Sequence, residues 1–262
     1  MKKSLVRRSI LLFAALAAIA TAAPPIVDPE HPNGGAIVSG AIDALGGPGF
    51  LAMQDRVARG WSGLWRNGVA RHAATRVETR YDGGSAAERH TFDKKDTHWY
   101  LFDAKGAHEV TYRGYRPLPA ERAAILRDSR DDNILQILRF HAADPGFQAN
   151  YRGMDVCEKQ SGYLVDIAAG PDDPLLTVCF SQMTGLPIRQ TRIERDPVTS
   201  ERVETTTVFS RYADAGGVQW PRHVAHLING ELVSELFFES VAVNQGVSPE
   251  RFILPHDLEK LK

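Results

Sequence analysis

The fold is decided by residues 212–255, YADAGGVQWPRHVAHLINGELVSELFFESVAVNQGVSPERFILP. Gly216-Gly217 opens an extended run from Val218 to Ile228. Asn229-Gly230 is the pair that tight two-residue hairpins favour, because both positions need positive φ. It turns the chain into a second run, Leu232 to Val243. In that run Leu232, Leu236 and Phe238 share one parity, and Val233, Phe237, Val241 and Val243 share the other. A strand with one face in water alternates more cleanly than this. Both faces therefore need apolar cover, which either an ordinary two-sided core or a hollow supplies. The stretch closes on N-x-x-V-x-P-x-x-F-x-x-P, from Asn244 through Val247, Pro249 and Phe252 to Pro255.

Upstream, the same short period recurs. Trp61, Gly63 and Trp65 share a strand face, and strand-like runs follow near residues 73–81, 86–93, 97–103 and 108–115. More appear near 151–158, 162–168, 175–181, 187–195 and 202–212. Such runs at regular intervals predict antiparallel meanders, about a dozen strands in all. Two blocks break the pattern. Ala36 to Leu45 carries Ile37, Val38, Ala41, Ile42 and Leu45 at helical spacing before Gly46-Gly47, and Pro48 is expected to start a second helix running to Arg59. In the middle, residues 118–143 read as helical: Ser129 and Asp132 form a capping-box-like start. Ile134, Ile137, Leu138 and His141 then share one face of a helix over 133–141. The expectation is one α+β domain over residues 36–262, preceded by a flexible leader at 23–35.

Residues 1–22 read as a cleavable export signal: Lys2, Lys3, Arg7 and Arg8, then the apolar Ile10 to Ala20, then Ala20-Thr21-Ala22. No cysteine directly follows the apolar segment, so the mature chain is not expected to be lipid-anchored, and its expected location is the periplasm. Loss of those four cations takes the formal charge from −1 to −5. A mildly acidic chain without a basic run is a poor nucleic-acid binder, since phosphate neutralisation dominates that affinity. Cys157 and Cys179 are the two cysteines. In an oxidising compartment they are expected to pair between neighbouring strands, for a stabilisation of roughly 3 kcal/mol. Their spacing is not the C-x-x-C of redox pairs.

Catalytic constellations are scarce. Gly46-Gly47-Pro48-Gly49 lacks the Lys and Ser/Thr of a phosphate loop, and no G-x-S-x-G elbow occurs. His223 and His226, three apart on a strand, point to opposite faces and cannot share a metal. His90 and His98 sit near strand ends, and Asp131-Asp132 suits a helix N-terminus. Neither a metal nor a cofactor is expected, and no carboxylate pair stands out for glycoside hydrolysis. The aromatics Trp61, Trp65 and Trp99, with Tyr100 and Phe102, suit either a core or the wall of an apolar cavity.

The closing tail, together with Ala41-Ile42-Asp43-Ala44-Leu45-Gly46-Gly47 and the segment Leu176 to Arg189, resembles the LolA/LolB-like superfamily of outer-membrane lipoprotein-sorting proteins over roughly residues 36–255. That resemblance implies a single curved antiparallel sheet, a half-open barrel of about 11–12 strands. It also implies N-terminal helices and a helical lid formed by the mid-chain block. The implied function is a non-catalytic, monomeric periplasmic carrier that holds acyl chains of a lipid or lipoprotein and binds no nucleic acid. Trp61, Trp65, Trp99, Ile134, Ile137, Leu138, Leu236 and Phe238 are the expected cavity and lid residues. The alternatives are an RseB-like envelope sensor that recognises an inner- or outer-membrane partner protein and, more remotely, an envelope hydrolase.

Overall fold

The computed structural model describes residues 32–66, 69–93, 95–119, 123, 133–196 and 199–255. The expected signal, most of the leader and the Ser129–Asp132 cap lie outside the described residues. Helix α1 spans Gly34–Leu45, capped by Asn33, whose side chain accepts from the Gly35 and Ala36 N–H groups. Helix α2 is one turn, Pro48–Leu51. The helix expected to run on to Arg59 stops there, because β1 (Asp55–Arg66) is claimed by strand pairing on both sides.

Strands β2 (Val69–Asp82), β3 (Ser85–Thr91), β4 (His98–Asp103), β5 (Gly106–Thr111) and β6 (Gly114–Pro117) continue one meander. The run read near 108–115 is two short strands, because Gly114 (φ 149°) lets the chain turn back on itself. After α3 (Ile134–Phe140) comes a second meander: β7 (Gln148–Cys157), β8 (Gln160–Ala168), β9 (Leu176–Ser181), β10 (Pro187–Arg195), β11 (Arg202–Asp214), β12 (Gln219–Ile228) and β13 (Glu231–Val243). All 13 strands form one curved, unclosed antiparallel sheet in the order β6-β5-β4-β3-β2-β1-β13-β12-β11-β10-β9-β8-β7.

The pairing of the first strand with the last joins the two meanders. The β6–β7 connection therefore has to travel from one sheet edge to the other, and it carries α3 onto the inner face. There α1, α2 and α3 bury Ile37, Leu45, Phe50, Ile134 and Leu138 against Val178, Phe180 and Phe209 of the sheet. Burial of each such side chain contributes roughly 1.5–3 kcal/mol. Leu118 and Ala123 cover Tyr100 and Phe102 of the other meander.

The β1–β13 seam contains a bulge that changes the reading of the final strand. Arg59 pairs with Ser240 but Gly60 pairs with Phe238, so Glu239 is the extra residue. Side-chain parity reverses there. Val241 and Val243 consequently join Leu236 and Phe238 on the inner side, packing into the clusters that hold those residues or the helices. Much of the apparent two-sidedness of this strand is one face read through a bulge.

The tail motif is explained by the outer face. Asn244 (φ 55°) turns the chain, and its side chain accepts from Gln54 N. Ser248 caps a 3₁₀ turn, Pro249–Phe252, which seats Phe252 against Trp99, Leu101 and Val110. Arg251 donates to Asp96 (2.6 Å) and Glu78, fastening the tail to β2 and the β3–β4 turn.

The cysteines form the disulfide Cys157–Cys179. It does not join neighbouring strands as expected: β7 and β9 are separated by β8. The bridge passes over Gly162 of β8, where a Cβ would stand 2.3 Å from Cys179 Sγ.

Candidate functional site

Where the sheet's two meanders meet, the inner face holds a small hollow beneath α3. Pairing sets Arg56 beside Thr79, Thr79 beside Glu88, and Glu88 beside Phe102, so four neighbouring strands present these side chains in one row. Arg56 Nη2 donates to Thr79 Oγ1 (2.7 Å) and to Glu88 Oε1 (3.4 Å). Thr79 also donates to Glu88 (3.3 Å), and the other Glu88 oxygen lies 3.0 Å from His90 Nε2. Arg56 stacks on Trp220 of β12, 4.6 Å from the ring centroid.

Val77, Phe102, Val224, Leu236 and Phe238 make the apolar part of the lining, and Asn133, Leu135 and Gln136 form the roof. The cavity is partly open and about 70 Å³, room for a small polar group as it stands.

Bonds from three elements hold the roof. Asn133 caps α3 through Leu135 N (2.9 Å), and Ile134 N donates to Gln190 Oε1 of β10 (2.7 Å). Arg139 donates to the carbonyls of Phe50 and Met53 and stacks on Tyr81, 4.4 Å from its centroid. Burial lowers the Arg139 pKa from its ordinary value.

Burial also shifts other groups around the hollow. The Tyr81 hydroxyl is raised by desolvation, with Arg56 and Arg139 pulling the other way. Tyr212, packed against the main core and donating to Pro187 O (2.9 Å), is raised well above its ordinary value by burial. His226, whose Nδ1 lies 3.0 Å from Thr207 Oγ1, is lowered to about 4 by burial. It is a neutral wall residue at physiological pH.

Glu88 is the one carboxylate among the described lining residues. A two-carboxylate hydrolytic pair is not assembled there. His223 turns to the outer face, 3.1 Å from Glu235, while His226 faces inward. Among the described residues no group of three metal-ligating side chains comes together.

Of the residues the sequence singled out, Leu236 and Phe238 line the cavity. Ile134, Ile137 and Leu138 are buried on α3 in the main core, beside the hollow, and Leu135 of the same helix faces it. Trp61, Trp65 and Trp99 lie on the outer face. Their parity is opposite to that of Arg56, Ala58, Tyr100 and Phe102. Trp61 stacks on Phe237 (5.4 Å), Trp65 meets His72, and Trp99 packs under Phe252. The tryptophan at the cavity is Trp220. The polar row of Arg56, Thr79, Glu88 and His90 was not anticipated, because charged residues in a strand read as solvent-facing until register is known. The one signal was the alternation Val77-x-Thr79-x-Tyr81 beside them.

No family model and no curated protein sequence matches the chain. Its fold is similar to that of a DUF1329 family protein from Desulfovibrio piger, with a TM-score of 0.61 at 12% identity, covering 84% of this chain and 95% of that one. It is also similar to a putative outer membrane lipoprotein-sorting protein domain from Vibrio parahaemolyticus (TM-score 0.55, 13% identity, 84% and 95% covered). A LolA superfamily protein from Nitrosomonas europaea gives a TM-score of 0.53 at 11% identity, with 85% and 98% covered. At these identities the likeness is one of fold: the chain has the LolA-type half-open barrel.

Proposed function

We propose that this chain is an exported, non-catalytic carrier that takes up the acyl chain of a lipid or lipoprotein between the inner face of its sheet and α3, in the periplasm. The observation that carries this reading is the way α3 covers the inner face. A seven-residue helix, held by Gln190 and by Arg139, fills with Ile134, Leu135, Ile137 and Leu138 a space that the open sheet leaves apolar. The likeness in fold to a lipoprotein-sorting domain supports the same reading.

The exchange is near balance. Four buried aliphatic side chains are worth about 6–12 kcal/mol together. About a dozen acyl methylenes, at roughly 0.8 kcal/mol each, offer a comparable amount. An acyl chain can therefore take the place of these four side chains against the sheet, with α3 lifted above it, without a large change in free energy, which is what uptake and release by one protein require.

Extraction of the mature protein from its native envelope, followed by mass spectrometry of the organic phase, tests the reading. One acyl lipid per protein is expected. A lipid-free protein that also takes up no added amphiphile would refute it.

A further inference from the structure

We infer that the cargo selected at this site is an amphiphile whose polar end is an anion, a carboxylate or a phosphate monoester, received by Arg56. The inference rests on the carrier reading above and narrows its cargo.

Arg56 is only 5% exposed and lines the cavity. Stacking on Trp220 fixes the plane of its guanidinium, so its donors project from the edges of that plane. Nη2 serves Thr79 and Glu88, whereas the buried Nε has no partner. Arg139 brings a second guanidinium against Tyr81, which also lines the hollow, and its own partners are two neutral carbonyls. Its Nε is likewise buried without a partner.

Among the described residues, Glu88 is the one carboxylate of the lining and serves Arg56, Thr79 and His90 together, while Arg139, packed on Tyr81 outside the lining, adds a guanidinium whose hydrogen-bond partners are neutral. His226, neutral there, adds no charge. A cation out of water is costly unless an anion meets it. A lipid carboxylate or phosphate entering the cavity of about 70 Å³ would supply negative charge beside Arg56 and an acceptor for its unpartnered Nε. Its alkyl chain would then run along Val224, Leu236 and Phe238 under α3. An uncharged, esterified lipid end could accept a hydrogen bond from Arg56 but brings no compensating charge.

The test is titration calorimetry of the full mature protein with laurate, lauryl phosphate and lauryl alcohol, which share one chain and differ at the head. Binding of at least one anion tighter than the alcohol by about tenfold or more is expected, as for a charged hydrogen bond. Whichever of laurate and lauryl phosphate binds tighter identifies the head group. Arg56→Met should bring the anions down to the alcohol's affinity while leaving the alcohol unchanged. Because that variant leaves Glu88 without its arginine, Arg56→Met with Glu88→Gln serves as a neutral pocket if the single variant does not fold. Equal binding of all three by the wild type overturns the inference and leaves the carrier reading standing. So does an anion preference that survives loss of Arg56. Failure of all three to bind overturns the carrier reading itself.

Discussion

Asp55 and Gly246 are 191 residues apart in sequence and meet through a 2.9 Å hydrogen bond from the glycine N–H to the aspartate carboxylate. The same carboxylate accepts from Gln245 N (2.7 Å) and Val247 N (3.2 Å), so the first residue of β1 closes the turn that follows β13. Asp55 is 3% exposed, and hydrogen bonds to a buried charge are worth more than neutral ones. Asp55→Ala leaves three backbone donors without their acceptor. It is predicted to cost about 3 kcal/mol in urea unfolding, and a loss below about 1 kcal/mol would show that the tail is held by Phe252 instead.

Gly60 is the close point of the seam between the two meanders. A Cβ there would stand 1.9 Å from Phe237 O, at the bulge where β13 carries Glu239 as its extra residue. Gly60→Ala is predicted to destabilise by about 3 kcal/mol or more, because backbone and not a flexible side chain would have to move. Thermal unfolding compared with Gly49→Ala, where a Cβ meets nothing within 4 Å and φ is not positive, separates the seam from loss of glycine as such.

The disulfide depends on a bare strand beneath it. Gly162→Ala should push Cys179 Sγ away and leave measurable free thiol in denatured, unreduced protein, where wild type leaves none. Reduction of the wild type is expected to lower stability by roughly 3 kcal/mol. If Gly162→Ala oxidises as fully as wild type, β8 is not what the bridge spans.

His226 gives the fold an acid-sensitive window. Its folded pKa of about 4 lies below the ordinary 6.5, so the unfolded chain binds the extra proton between those values. Stability contributed by keeping the ring neutral is complete above pH 6.5 and is lost as pH falls toward 4, by roughly 3 kcal/mol in total. Asp96 and Glu109, whose folded pKa values are lowered by arginine partners among other causes, act further into acid. Urea midpoints from pH 7 to 4 should therefore fall in wild type and fall much less in His226→Gln.

The sequence conveyed the meanders, the Asn229-Gly230 hairpin, the cysteine pair and the tail because each rests on local chemistry: period, turn φ and composition. What it hid depends on register. The bulge at Glu239 turns Val241 and Val243 inward, and no local signal marks that position, since Phe238-Glu239-Ser240 is an ordinary strand tripeptide. The same ignorance of register placed Trp61, Trp65 and Trp99 with the cavity and overlooked Trp220, Arg56 and Glu88. Pairing partners decide which face a charged or aromatic strand residue takes, and those partners lie up to 187 residues away, as Arg56 and Val243 do.

The separation of tryptophans between the two faces makes the central claim measurable. A chain retaining Trp220 alone, with Phe at 61, 65 and 99, should lose fluorescence when titrated with a brominated fatty acid, because bromine would lie within contact of the cavity wall. The Trp220→Phe chain, which retains the three outer tryptophans, should keep its fluorescence. Quenching of the outer set with Trp220 spared, or of neither at saturating lipid, would contradict an acyl chain held between α3 and the inner face of the sheet.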